Sequence, residues 1–515
     1  MAPFLGFRGK SLRAALIWGV ILPAYVLFGY NNGVAGGLLS LPSWTETFPR
    51  INTETTTGAV KAENSKIQGT VVALYTLGCF FGSLACLKIG DPLGRRRTIM
   101  LGAAINIVGA LLQSSSFSLA QLIVGRLVSG IGFGALTATA PNWQSECSRA
   151  DHRGSTVVLE TLFISMGLAI AAWVNVGMSH TTGSVSWRFP LALSGLWSIF
   201  VLIMTPQLPE SPRWLLQKGR EEEAREVLAA LSDTAVDSEL VNVDVAEIKE
   251  SLEIAGEGRF RDIFTNGPSR LFHRTFLAAA GQMFQQMSGI NALAFYQATV
   301  FEQGLGFSSS VSRILGAAVF TWQTICSPIG VLTVDRLGRR KLMMFSAAGM
   351  GACMAIIAGT SSQITNRAAS GTAGAFIFMF SLFFPIGFLG LTFLYASEIA
   401  PLSARVPITA ISTGTAWLFN FLVAEITPTG FDSLGYKYYI IFACINLFLI
   451  LPSVYFFWPE TNGRHLEEVD RIFLNSKSIF DTVRVSRNMP RHDQMDSAMK
   501  EKNATAQIEN VEQAA

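Results

Sequence analysis

About twelve windows of roughly 20 mostly apolar residues follow one another along this chain, near 15–37, 69–89, 98–117, 120–140, 157–178, 188–206, 272–301, 311–332, 341–361, 372–397, 406–427 and 437–458. A helix rises about 1.5 Å per residue, so each window can cross the roughly 30 Å hydrocarbon core of a bilayer. Lipid offers no partner for backbone N–H and C=O groups, which restricts such segments to helices. The 515 residues are 50% hydrophobic and only 15% charged, against roughly 25% charged in an ordinary soluble domain. The expectation is an all-α membrane protein with twelve transmembrane helices, the lipid bilayer being its first partner.

The chain also repeats itself. Asp91-Pro-Leu-Gly-Arg-Arg-Arg97 returns as Asp335-Arg-Leu-Gly-Arg-Arg-Lys341, Glu146 with Arg153 as Glu398 with Arg405, and Pro209-Glu210-Ser-Pro-Arg213 as Pro459-Glu460-Thr-Asn-Gly-Arg464. The offset is about 250 residues each time, the mark of a duplicated membrane unit. This divides the chain into a six-helix bundle over 1–206, a helical linker over 207–271, a second six-helix bundle over 272–458 and a tail over 459–515. Lys and Arg in the N-terminal tail and inner turns outnumber those of the outer segments about two to one, which puts both termini in the cytoplasm.

The linker holds an apolar stripe, Leu215, Leu216, Ala224, Val227, Leu228 and Leu231, beside a charged face, as in a helix lying on the bundle. The last 25 residues are too polar to fold alone. Six cysteines fall singly in or at the ends of spans, as packing residues with no disulfide framework or metal spacing. Ser129-Gly-Ile-Gly-Phe-Gly134 superficially matches a dinucleotide fingerprint, but it lies inside a span without a preceding strand, where small residues serve close helix packing. There is no Walker motif, HExxH or basic nucleic-acid patch, so no nucleotide, nucleic acid, metal or other cofactor is expected, and no enzymatic step.

The basic turns pair an Asp, a turn glycine and arginines, with glutamates elsewhere to meet them. Arg95, Arg96, Arg126, Glu146, Arg153 and Glu210, and Arg339, Arg340, Glu398, Arg405 and Glu460, are expected to form gating salt bridges joining the two bundles on the inner side. Partly exposed pairs are worth at most about 1 kcal/mol each, which suits a latch that breaks every cycle. Polar groups inside spans are costly and therefore candidate site residues. The seventh span is richest in them, with Gln282, Gln285, Gln286, Asn291 and a loosening Gly289. Amides both donate and accept, as a small neutral polyhydroxyl substrate requires.

With these motifs the chain resembles the sugar porter family of the major facilitator superfamily over about residues 15 to 470. The resemblance implies the major facilitator fold, alternating access, plasma-membrane residence and sugar-hydroxyl binding by Gln285, Gln286 and Asn291. It further implies a cavity lined by Phe28, Asn31, Trp417 and Asn420. Three positions depart from the family pattern. Ser165 stands where glutamine is common, Phe393 near a common tryptophan, and Asn31 where proton-coupled relatives carry aspartate. An amide cannot titrate, so Asn31 favours passive uniport over proton symport, with Glu425 as the remaining acid considered. The apolar tenth span keeps a non-sugar metabolite as the alternative cargo. A transporter-like nutrient sensor is the alternative from a different class.

Overall fold

The computed structural model describes residues 3–147, 153–256, 260–265, 267–363, 365–464 and 466–489. Among them the architecture is helical throughout. Eleven continuous helices are long and apolar enough to cross a membrane: Gly9–Leu38, Gly58–Leu93, Arg95–Ser114, Leu119–Cys147, Glu160–Met178 and Val185–Gln207, then Ser309–Leu337, Arg339–Ser361, Arg367–Ile399, Leu402–Leu434 and Lys437–Phe457. The seventh span crosses in pieces, Leu271–Met287 and Ile290–Phe295, separated at Gly289. Gly289 sits at φ +104, a conformation that costs other residues dearly, so the loosening expected there is a full break. Large side chains such as Trp18, Leu111, Ile325, Leu332 and Phe448 remain exposed around the helices. On a membrane protein that is the lipid-facing surface.

The two halves meet where the second span lies along the eleventh and the fifth along the eighth. Within the first half, the glycine-rich run of the fourth span does what its residue types suggest. A Cβ on Gly130 would fall 2.1 Å from the Tyr75 carbonyl, and one on Gly134 2.2 Å from the Cys79 carbonyl, so the second and fourth helices touch backbone to backbone. The same run meets the third span, where Ser129 Oγ donates to Asn106 Oδ1 at 2.6 Å. Cys79, Cys147, Cys326 and Cys353 are buried as free thiols.

The linker begins with Pro212–Gln217, whose first turn is capped by Ser211 Oγ accepting from the Trp214 N–H at 3.1 Å. A turn at Gly219 interrupts the expected single helix, which resumes as Glu221–Ser232, and a further helix spans Glu239–Gly256. Leu215, Ala224, Val227, Leu228 and Leu231 are buried, as the stripe predicts. The linker is tied to the N-terminal segment by Arg8 and Asp233 at 3.3 Å. Beyond the last span, Leu466–Asn475 is helical and is held to the seventh span by an ion pair between Asp470 and the buried Arg274. The N-terminal segment, linker and C-terminal helices thus gather at one end of the bundle, here termed the linker end; the opposite, loop end carries the segment between the first two spans. The 25 residues expected to stay unfolded lie outside the described residues.

Candidate functional site

At the centre, the seventh-span amides form a chain of hydrogen bonds. Asn291 Nδ2 donates to Gln286 Oε1 at 2.6 Å, Gln286 Nε2 to Gln285 Oε1 at 2.9 Å, and Gln285 Nε2 to the carbonyls of Phe388 and Leu389, both at 2.9 Å. The tenth span can supply those carbonyls because it widens over Pro385–Leu389, freeing backbone acceptors from the regular ladder. All three amides are buried, at 4 to 7% exposure.

Across the interface between halves stands an aromatic cluster. Phe28 and Trp417 lie 5.4 Å apart by ring centroid, and Phe133 packs on both at 5.6 and 6.1 Å. One turn toward the loop end from Phe28 and Trp417 lie Asn31 and Asn420. Asn31 Nδ2 and Asn420 Oδ1 are buried without a hydrogen-bond partner, as are both polar atoms of Gln282 and Oε1 of Gln323. Each such group costs about 1–3 kcal/mol until something satisfies it. Gln323 Nε2 reaches Ser165 Oγ at 3.3 Å, and Ser165 and Ser327 hydroxyls share a bond of 2.8 Å between the fifth and eighth spans. Donors, acceptors and aromatic rings thus sit on helices that pack on one another, and such groups in combination bind a hydroxylated ring. Sequence reasoning missed Phe133, Gln323, Ser327 and the Phe388 and Leu389 carbonyls. Backbone acceptors have no residue-type signal at all.

The basic turns depart from expectation, because the ion pairs observed stay within each half. Arg95 forks onto Glu146 through Nε and Nη2, both at 3.0 Å, and also meets Asp91 at 2.9 Å. In the second half Arg339 meets Glu398 at 2.8 Å and Asp335 at 3.0 Å. These arginine side chains are only 16% and 10% exposed, so removing one partner from such a largely buried pair costs about 3–5 kcal/mol. In this conformation they fasten the helices of each half to one another and do not join the bundles.

Glu210 and Glu460 serve the same helices differently. Glu210 accepts from the Arg95 and Arg96 backbone N–H groups at 3.2 Å, and Glu460 from those of Arg339 at 2.9 Å and Arg340 at 3.2 Å. Both glutamates cap a helix N-terminus, where negative charge is favoured. Loss of water on burial nevertheless pushes the Glu210 carboxyl up, with the backbone donors and Arg96 opposing. Arg96 reaches the Pro206 carbonyl and Arg340 the Tyr455 carbonyl, instead of carboxylates. Arg126 is corrected likewise: buried near the loop end, it donates to the Val72 carbonyl at 2.9 Å and lies over the Tyr75 ring, with no carboxylate pair among the described residues. Arg405 opens the helix Arg405–Leu434. The Arg153 side chain lies outside the described residues.

Besides the Ser165–Ser327 bond, polar contacts between halves appear at the loop end. Thr70 Oγ1 donates to Glu425 Oε1 at 2.7 Å, Lys61 lies 3.7 Å from Asp432, and Arg313 Nη1 donates to Ser40 Oγ at 3.1 Å. Beside them Glu54, exposed on one side, shares its surroundings with Glu302 and Arg313. Partial loss of water, then the Glu302 charge, push its carboxyl up to about 7 against the pull of Arg313.

A family model described as "Sugar (and other) transporter" matches residues 19–473. Among curated relatives, the MFS-type transporter oryC of Aspergillus oryzae is 38% identical over 93% of this chain and 88% of its own. Sugar transporter STL1 of Saccharomyces cerevisiae is 35% identical over 91% and 82%, and hexose transporter HXT9 of the same yeast 30% over 87% and 80%. The inward-open structure of the xylose transporter XylE from E. coli superposes with a TM-score of 0.72 at 22% identity, covering 90% of this chain and all but 1% of that one. Its likeness shows the fold, twelve helices in two bundles. The chain belongs to the sugar transporter family of the major facilitator superfamily, a family of membrane carriers and not of enzymes.

Proposed function

We propose that this chain carries a small neutral polyhydroxyl molecule, a hexose-like sugar or polyol, across the plasma membrane by alternating access, with both termini cytoplasmic. The observation that carries this reading is the set of buried amides, several with unpaired atoms, on helices packed against those that carry the Phe28 and Trp417 rings. Sugar hydroxyls donate and accept at once, so they can meet Asn31, Gln282, Asn420 and the Gln285, Gln286 and Asn291 chain together. Relatives bearing sugar and hexose transporter names support that class of cargo. The excess of Lys and Arg toward the linker end supports the orientation. Substrate shifts the balance of inward and outward forms only through its different affinity for each, so the amides must close most tightly in an occluded form.

The test is a panel of radiolabelled D-glucose, D-xylose, D-galactose, glycerol and mannitol in proteoliposomes of the purified chain. Saturable counterflow of at least one is expected; none with any would overturn the reading. A second reading, carriage of a non-sugar metabolite, is favoured by the apolar tenth span and by the relative named only as an MFS-type transporter.

A further inference from the structure

The fifth span holds a carboxyl that the amide site does not use. Glu160 is partly buried near the linker-end side of that helix, and its side chain is hydrogen-bonded to Tyr25 of the first span. The backbones cross closely just beyond it: a Cβ on Gly29 would fall 1.9 Å from the Ile164 carbonyl, and one on Gly167 2.1 Å from that of Val26. Tyr25 is one helical turn from Phe28, whose ring touches Trp417, and Glu160 is about a turn and a half from Ser165. The acid therefore lies on the linker-end side of Phe28 and Ser165.

Among the described residues, what faces Glu160 is neutral. The first, sixth and eighth spans pack on the fifth. They carry formal charge only toward their ends, at Lys10 and Arg13, at Arg188, and at Arg313, Asp335 and Arg336. Tyr25, Tyr30 and Cys326 are their remaining titratable groups; Tyr30 donates to the Pro190 carbonyl. Arg153 lies two turns away on the same helix, its side chain outside the described residues. No ion pair to Glu160 occurs among the described residues. A carboxyl with one neutral hydrogen-bond partner can exist as acid or anion, and the balance turns on whether water from either compartment reaches it. At this level, next to the site whose access alternates, that condition changes in every cycle.

We propose that Glu160 is the proton-binding site of this carrier, so that transport is proton-coupled and not passive. An O–H bond forms at a Glu160 carboxyl oxygen with a proton from water on one side and breaks to water on the other, with no redox change. Tyr25 is the positioning residue that holds the carboxyl. The passive mode suggested by Asn31 assumed that the acid must lie in the first span; here the fifth supplies it. The proposal rests on the sugar-carrier reading above.

The experiment uses the full chain in liposomes with whichever sugar of the panel shows counterflow. Three quantities are measured: counterflow at equal pH, accumulation driven by an inward proton gradient, and luminal acidification reported by a trapped pH dye. The wild type should accumulate the sugar and acidify the lumen. Glu160→Gln should lose more than tenfold of both while counterflow falls far less. Tyr25→Phe keeps the acid and should shift the pH profile of accumulation by a measurable fraction of a unit. Wild-type counterflow without accumulation or acidification overturns proton coupling, and wild-type-like accumulation by Glu160→Gln overturns the assignment. If Glu160→Gln loses counterflow as well, the Tyr25→Phe profile decides: shifted, it supports the assignment, and unshifted, it overturns it. No counterflow with any sugar overturns the carrier reading itself, and this proposal with it.

Discussion

Gln286 is the middle link of the amide chain, accepting from Asn291 and donating to Gln285. Truncation to alanine removes the proposed ligand group and leaves two neighbours unpaired. A loss of about 1–3 kcal/mol is expected, read as roughly a five- to 160-fold weaker half-saturation of uptake at unchanged surface expression. Unchanged affinity would remove Gln286 from the site. Gly130 plays the opposite role, contributing by having no side chain. Gly130→Val must push the second and fourth helices apart at Tyr75, which overpacking data place at about 1–3 kcal/mol. Thermal unfolding in detergent should show a lowered midpoint, and a wild-type midpoint would contradict the close approach. Both positions stand out by residue type, an amide and a glycine inside apolar runs. Glu160 escaped because a single acid at the border of an apolar window reads as the end of the window, and only the structure brings Tyr25 to it.

At the level of elements, repetition in the sequence translated into repetition of local structure. Gly94 and Gly338 turn at φ +86 and +88, and the following helices each receive a glutamate at their N-terminus from a distant segment. Partner choice did not follow from the motif, because residue types give charge complementarity without saying which helix end lies nearby. The loop end gives the pH prediction. Partial loss of water and the Glu302 charge push the Glu54 carboxyl up to about 7, against an ordinary 4.5, so protonation favours the arrangement that holds Glu54 beside Glu302 and Arg313. That contribution is intact below about pH 4.5 and is lost as pH rises through about 7. Spin labels at Val60 and Leu434, exposed near the loop ends of the second and eleventh spans, should therefore move apart on average between pH 5 and 8. Glu54→Gln should flatten that response, and an equally steep response in the variant would show that another group controls it.

For the whole molecule, the twelve spans and the twofold division were legible because burying a segment in hydrocarbon demands about 20 apolar residues and duplication preserves motif order. The amide-rich seventh span and its weak point at Gly289 were legible too. What was not legible is whatever depends on one helix meeting another: the confinement of the arginine clusters to single halves, the polar bridges at the loop end, and the tenth-span carbonyls under Gln285. The central proposal is that Gln285, Gln286 and Asn291 line a wet cavity that opens to one compartment at a time. Single cysteines at these three positions, in a background lacking reactive cysteines and in sealed vesicles, test it by their rate of reaction with a membrane-impermeant thiol reagent from each face. Reaction from both faces in the absence of sugar, slowed from both when a transported sugar occupies the site, is the predicted result. Cysteines that react from neither face under any condition, shielded as if against lipid, would contradict it.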